Sequence, residues 1–212
     1  MPNWCHDCVV LHGDNDSIGK VEALLLDLQD NGREDNSNFG KLWLGNVVEK
    51  LGLDWREVSC RGWIEDFERE GDRITLFAST AWSDTPIYET FNALASHEDF
   101  PGVEFCYVAE EPGCGYFINT DTTGEYFKER WYVDYETAED GCHTDWLDSE
   151  DELLSFVKET FGVEYHDADE VMDKAGELAD ADKRQCLYVG EYTDRDGQSL
   201  PRGRNEHGGE VR

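Results

Sequence analysis

Between Trp131 and Val157 the chain places nine carboxylates and no Lys or Arg in 27 residues: Asp134, Glu136, Glu139, Asp140, Asp145, Asp148, Glu150, Asp151 and Glu152. Neighbouring like charges repel, and soluble proteins ordinarily intersperse the two signs. Any fold open to this segment must keep most of those groups in water. The bias extends to the whole chain, where 18 basic residues face 49 acidic ones for a net charge of −31. Residues 193–212 hold four Arg against two Asp and two Glu, so residues 1–192 carry the entire excess. A compact chain of 212 residues has a radius of gyration near ~17 Å and a diameter of roughly 45 Å. Duplex DNA carries about 26 charges over that length. The two charge densities are comparable, and self-repulsion on this scale costs stability.

The acidity does not come with the composition of a disordered chain. Hydrophobic residues make up 39% and aromatics 12%, with seven Trp. Acidic disordered chains lack such aromatics, so a packed core beneath an acidic shell is expected. No run of 18 apolar residues suggests a membrane span. The opening MPNWCHDC has neither the basic region nor the apolar core of a secretory signal. Seven scattered Cys, an odd number, fit reduced thiols in a cytoplasm better than a disulfide framework. Direct contact with nucleic acid or anionic lipid through such a surface is disfavoured. Salt adaptation, in which acidity is a property of the whole proteome, is the bland alternative.

Periodicity supplies the elements. WCHDCVVLHG reads as a strand. SIGKVEALLLDLQDNG sets Ile18, Val21, Leu24, Leu25 and Leu28 on one helical face, with Asn31-Gly32 as its stop. Residues 33–38 read as loop, and Phe39 to Leu51 as a second helix ended by Gly52. Trp55 to Glu68 and Arg73 to Trp82 read as a hairpin about Gly71. Thr85 is expected to cap the next helix, with Pro86 in its first turn. Val103 to Ala109, GYFINT and Tyr126 to Tyr135 read as further strands. Ser149-x-x-Glu152 is a capping box opening a helix that bears Leu153, Leu154, Phe156, Val157 and Phe161. An acidic helix is expected from about Asp167 to Ala179, and a short strand from Cys186 to Tyr192. Trp4, Trp43, Trp63 and Trp82 are expected to fill the core.

This order predicts an α+β fold: a ferredoxin-like antiparallel sheet with helices on one face, plus an acidic helical C-terminal elaboration. The expected division is a core over residues 1–135, an acidic elaboration packed on it over 136–192, and a flexible tail over 193–212. The term describes a chain path only, since four Cys suitably placed for an iron–sulfur cluster are not found.

Two segments carry a family likeness. Met1-Pro2-Asn3-Trp4-Cys5 and Phe77-Ala78-Ser79-Thr80-Ala81-Trp82-Ser83-Asp84-Thr85-Pro86 resemble the YubB-like ferredoxin-like-domain proteins of phages and plasmids. Arg61-Gly62-Trp63 and Tyr107-Val108-Ala109-Glu110-Glu111-Pro112-Gly113 look like further landmarks. The likeness spans roughly residues 1–135. It departs from the family pattern at Asp7, where Asn is common, and at Asp84-Thr85, inserted before Pro86. The resemblance implies a fold and a mobile-element origin, not a reaction.

Candidate chemistry is sparse. Cys5-x-x-Cys8 lies in a strand, where positions i and i+3 face opposite ways, and no second ligand pair completes a zinc site. Cys142-His143 with Asp145 could serve a metal or nucleophile site in a small cytoplasmic enzyme, but no matching base is evident. His166-Asp167-x-Asp169 suits a helix start. Asp14-Asn15-Asp16 and Asp194-Arg195-Asp196-Gly197 lack the twelfth-position Glu of a calcium loop. Gly113-Cys114-Gly115 lacks the Lys and Ser/Thr of a phosphate loop.

The functional expectation therefore rests on charge. The carboxylates from Asp134 to Glu152, with Trp146 among them, and those from Glu164 onward (Asp167, Asp169, Glu170, Asp173) are expected to form a partner-binding surface that imitates nucleic acid. Rings stack on Arg and carboxylates take its fork, so the expected partner is a basic host protein, a nucleic-acid-binding defence component. No catalytic residue, metal or cofactor is assigned, and no oligomeric state follows from the sequence.

Overall fold

The computed structural model describes residues 3–34, 39–137, 141–178 and 186–202. The chain is α+β, with two antiparallel sheets and five α-helices among these residues. It divides into two compact units, Met1–Ile118 and Asn119–Arg212. The sequence reading set that boundary at residue 135. No described helix is long and apolar enough to cross a membrane.

In the first unit the elements run β1 (Trp4–His12), α1 (Asn15–Asn31), α2 (Leu44–Lys50), β2 (Gly62–Glu70), β3 (Arg73–Ala81), α3 (Thr85–Ala95), β4 (Glu104–Glu111) and β5 (Tyr116–Asn119). The five strands stand in the order β2-β3-β1-β4-β5. Alternation along β1 sends Val9 and Leu11 into a core shared with Ile74, Leu76 and Ala78 of β3. The apolar stripes of α1 (Ile18, Val21, Leu25, Leu28) and α3 (Ile87, Phe91, Leu94) close that core. Asp14 caps α1 by accepting from the amides of Asp16 and Ser17, each at 3.0 Å. The helix stops at Gly32, as expected, but not through a left-handed turn: its φ is −57°. A Cβ there would lie 2.3 Å from the carbonyl oxygen of Lys41, so the close backbone approach is what requires glycine.

Four local expectations are corrected. The second helix is shorter than Phe39–Leu51, because its N-cap Trp43 makes no side-chain cap bond and the helix starts at Leu44. β2 begins at Gly62, since Trp55 to Arg61 turns instead of extending. The cap of α3 is Asp84, which does not cap through its side chain. Its carboxylate is spent on the hydroxyls of Tyr107 and Tyr116. Trp82 does not enter the core: it is 60% exposed, with a left-handed φ of 76°. Trp4 and Trp63 instead pack with Phe39 in an aromatic cluster, with ring centroids 4.9 to 6.0 Å apart.

The second unit contains β6 (Trp131–Thr137), β7 (Gly141–Leu147), α4 (Glu150–Phe161), α5 (Ala168–Lys174) with a following 3-10 turn, and β8 (Cys186–Glu191). β6 is central, paired on both sides in the order β7-β6-β8. Its inward residues Trp131 and Val133 join Leu187, and Leu153, Val157, Ala168 and Val171 of the two helices pack on them. The stretch expected to be a flexible tail is ordered through Arg202. Thr193 pairs with Ser199, Leu200 is buried, and Arg202 binds Glu191 and Asp169. Residues 203–212 lie outside the described part.

Candidate functional site

Strand alternation decides which candidate side chains share a face. On β6 the odd positions Trp131, Val133 and Tyr135 turn toward the helices, and Phe156 and Phe161 stack edge-on against Tyr135. The even positions Tyr132, Asp134 and Glu136 turn the other way. Register then sets Trp146, Thr144 and Cys142 of β7 beside them on one side, and Gly190, Tyr188 and Cys186 of β8 on the other. This outer face carries an aromatic group, with Tyr132 6.1 Å from Trp146 and 6.3 Å from Tyr188, both edge-on. Trp146 and Tyr188 are large apolar groups left exposed, at 50% and 41%. Next to them stand Asp134, exposed, and Glu136, half-buried. The three strands contain no Lys or Arg.

The remaining candidates are distributed differently. Asp145 is exposed but pairs with Val133, on the helix side of β7, where the Tyr135 hydroxyl donates to it at 3.1 Å. Glu139 and Asp140 lie outside the described residues, as do Asp180 and Asp182. Glu150 is not a surface group: it is 2% exposed, and its carboxylate accepts from the amide of Ala168 at 3.0 Å. It therefore drops out as a partner contact, because it ties the start of α4 to the start of α5. Glu152 accepts from the Asp148 amide at 2.7 Å, while Ser149 accepts from the Glu152 amide. Asp167 and Glu170 repeat that exchange one helix later, with His166 as the reciprocal amide. Glu164 pairs with Lys158, Glu170 with Lys174, and Asp169 with Arg202. Asp148, Asp151 and Asp173 are exposed.

The candidates thus occupy two sides of the second unit. Asp134, Glu136 and Trp146 lie on the face of the sheet turned away from the helices, where Tyr132 is buried, and the acids of α4 and α5 lie on the helix layer that covers the other face. Among the described residues the candidates do not share one face of the sheet. Of the β6 aromatics, Trp131 is fully buried and Tyr132 is 7% exposed. Tyr188, which completes the exposed group, escaped notice because it lies more than forty residues away in sequence and carries no local signal.

Among the described residues, the Cys and His candidates do not converge on a shared site. Cys142 and His143 are adjacent in a strand, so one faces Glu136 and the other lies by Tyr135, 5.5 Å between ring centroids. The charge of Glu136, with slight desolvation and the nearby Cys186, pushes the exposed Cys142 thiol up, which disfavours a nucleophilic thiolate. Cys5 and Cys8 also face opposite ways. Burial, then the charge of Asp7, raises Cys5 to about 12. All seven cysteines are thiols. Among the described residues no three His, Cys, Asp or Glu side chains are placed to hold a metal.

No protein-family model, curated protein or solved structure matches the chain.

Proposed function

We propose that this is a non-catalytic binding protein whose second unit docks on a basic, nucleic-acid-binding groove of another protein. The observation that carries the reading is the face of β6, β7 and β8 turned away from α4 and α5. It sets Tyr132, Trp146 and Tyr188 beside Asp134 and Glu136 in strands without a basic residue. The exposed rings of Trp146 and Tyr188, backed by the buried Tyr132, would lose water on contact with Arg side chains and stack on them, and carboxylates would take the guanidinium fork. The field of the whole chain would steer encounter, with rates raised about 10- to 1000-fold at low salt. Once seated, the protein would occlude the groove and exclude nucleic acid without any reaction.

The resemblance of MPNWC and FASTAWSD to phage and plasmid proteins directs this reading to a host defence component of restriction or CRISPR type, met in the cytoplasm. It also suggests a ferredoxin-like path for the first unit. The succession β1-α1-β2-β3-α3-β4 with strand order β2-β3-β1-β4 supports that path, with α2 and β5 as additions. The test is competition with duplex DNA for a panel of restriction and CRISPR-type effectors at low salt. Displacement that weakens steeply with salt supports the reading, and DNA binding untouched by excess protein rejects it for that effector.

A second reading has its own support. Unit 1 holds 23 acidic and 8 basic residues, and unit 2 holds 26 and 10, so the units carry −15 and −16. Acidity shared so evenly is what a salt-adapted proteome would give. Thermal melts at 0.05 and 2 M KCl would separate the two readings. A salt-adapted chain unfolds at the lower concentration, whereas the proposed mimic stays folded there and gains only modestly from screening.

A further inference from the structure

A buried polar cluster lies at one end of the sheet of the first unit. Asp7 sits on the helix-covered face of β1, opposite Ala78 of β3 and Ala109 of β4, and is 3% exposed. Its Oδ2 lies 2.8 Å from Thr80 Oγ1, while its Oδ1 meets no hydrogen-bond partner. Asp84, equally buried, is differently served. The Tyr107 hydroxyl donates to its Oδ2 and the Tyr116 hydroxyl to its Oδ1. Both oxygens of Asp84 are thus met by donors, whereas an unpartnered oxygen among alanines does not suit an ionised Asp7.

The direction of one hydrogen bond points the same way. Thr80 Oγ1 is also 2.9 Å from the carbonyl oxygen of Ser83. A hydroxyl has one proton, and a carbonyl can only accept. When Thr80 donates to Ser83, the contact with Asp7 is completed by a proton from Asp7. The acids that act on Asp7 are Asp84 before α3 and Glu65 on β2, with Cys5 two residues back on its own strand; Tyr107 on β4 and Tyr116 on β5 hold Asp84, and Glu111 on β4 acts on Cys5. Burial, with Asp84 and Glu65 adding to it and Thr80 opposing, moves the Asp7 carboxyl up to about 8.

The same chain of bonds holds a strained turn. Trp82 is the one non-glycine residue with positive φ among those described, a conformation that bulky residues rarely adopt. Its amide donates to the Asn3 carbonyl at 3.0 Å, Thr80 holds Ser83, and the two tyrosines hold Asp84. We infer that Asp7, as a neutral carboxylic acid, is a proton-controlled latch on the Trp82–Asp84 turn. With the proton present, Asp7 donates to Thr80 and Thr80 donates to Ser83. When the proton leaves to solvent, the carboxylate claims the Thr80 hydroxyl, Ser83 loses its donor, and a second buried negative charge stands near Asp84. Because the folded pKa lies above the unfolded one, the stabilisation is whole below the ordinary carboxylate range. It is lost by up to about tenfold in the folding constant per pH unit as pH rises toward 8.

The test is NMR on the full chain from pH 4 to 9, following the Asp7 side-chain carboxyl carbon and the exchange protection factors of Trp82, Ser83 and Asp84. The expected result is a carboxyl midpoint near 8 with protection of the turn falling about tenfold or more through it. Asp7→Asn, whose amide always donates to Thr80, should hold the protection level across the range. Thr80→Val should leave Asp7 titrating high but uncouple the turn. A wild-type midpoint below 5, or turn protection indifferent to the Asp7 titration, overturns the latch. The wild-type titration decides the matter even if either variant fails to fold.

Discussion

Asp121 illustrates what one ionised carboxylate does inside this protein. It is 5% exposed, yet it accepts from the backbone amides of Thr123, Gly124, Tyr126 and Phe127 and from the Thr123 hydroxyl. Burial alone would raise its pKa, but the amides of Phe127 and Tyr126, with Thr123 and Gly124, outweigh it and hold the group below the usual carboxylate value. Asp121→Ala is therefore expected to destabilise the second unit by about 3 kcal/mol, since bonds to a charged group are worth roughly 1.5–3 each and are not additive. Urea unfolding would measure it. The contribution is present above the ordinary carboxylate pKa and is lost as pH falls through the folded value, so the gap between wild type and variant should close in acid. The sequence offered little to find this residue by. Asp121 lies in TDTTG, a run that reads simply as loop, and its five donors come together only after the chain turns. Trp82 shows the converse: its composition says core, but the turn that Ser83 and Asp84 impose sends the ring to solvent.

At the scale of elements, legibility followed the strength of the periodic signal. α1 and α3 were plain, because their apolar stripes recur with helical spacing over three turns or more. β7 was not. GCHTDWL is exposed along most of its length, so no alternation marks it, and only its pairing with β6 makes it a strand. The Ser149 box was legible because cap chemistry is local: the Ser149 hydroxyl accepts from the Glu152 amide at 3.2 Å. Ser149→Ala should cost about 1 kcal/mol. Glu150 lies next to it and looks like one more surface acid, yet it is buried on the Ala168 amide. Glu150→Ala should cost about 2 kcal/mol, while Glu150→Gln, which keeps an acceptor, should cost less. Thermal melts of the three variants would rank them, and equal costs for Ala and Gln at position 150 would contradict the assigned bond.

For the whole molecule, charge was legible in amount but not in arrangement. The sequence shows an uncompensated run from Trp131 to Val157. Folding then places its members on two sides of a sheet, buries Glu150 and commits Glu152 to a cap. What survives as a coherent patch is the aromatic and acidic face of the second sheet, and Tyr188 reaches it only through β8. The even division of net charge between the two units means that bulk acidity and a defined face make different forecasts, and charge-matched variants separate them. Asp134→Asn with Glu136→Gln, on that face, removes two charges. Glu68→Gln with Asp72→Asn removes two from exposed positions of the first unit. The deciding measurement is displacement of duplex DNA from an effector that the wild-type chain inhibits, run at low salt with both pairs and with Trp146→Ala. A defined face predicts a loss of about tenfold or more for the Asp134/Glu136 pair and for Trp146→Ala, with the Glu68/Asp72 pair within about twofold of wild type. Equal losses for the two charge pairs, with Trp146→Ala silent, would show that total charge alone acts and would contradict the account.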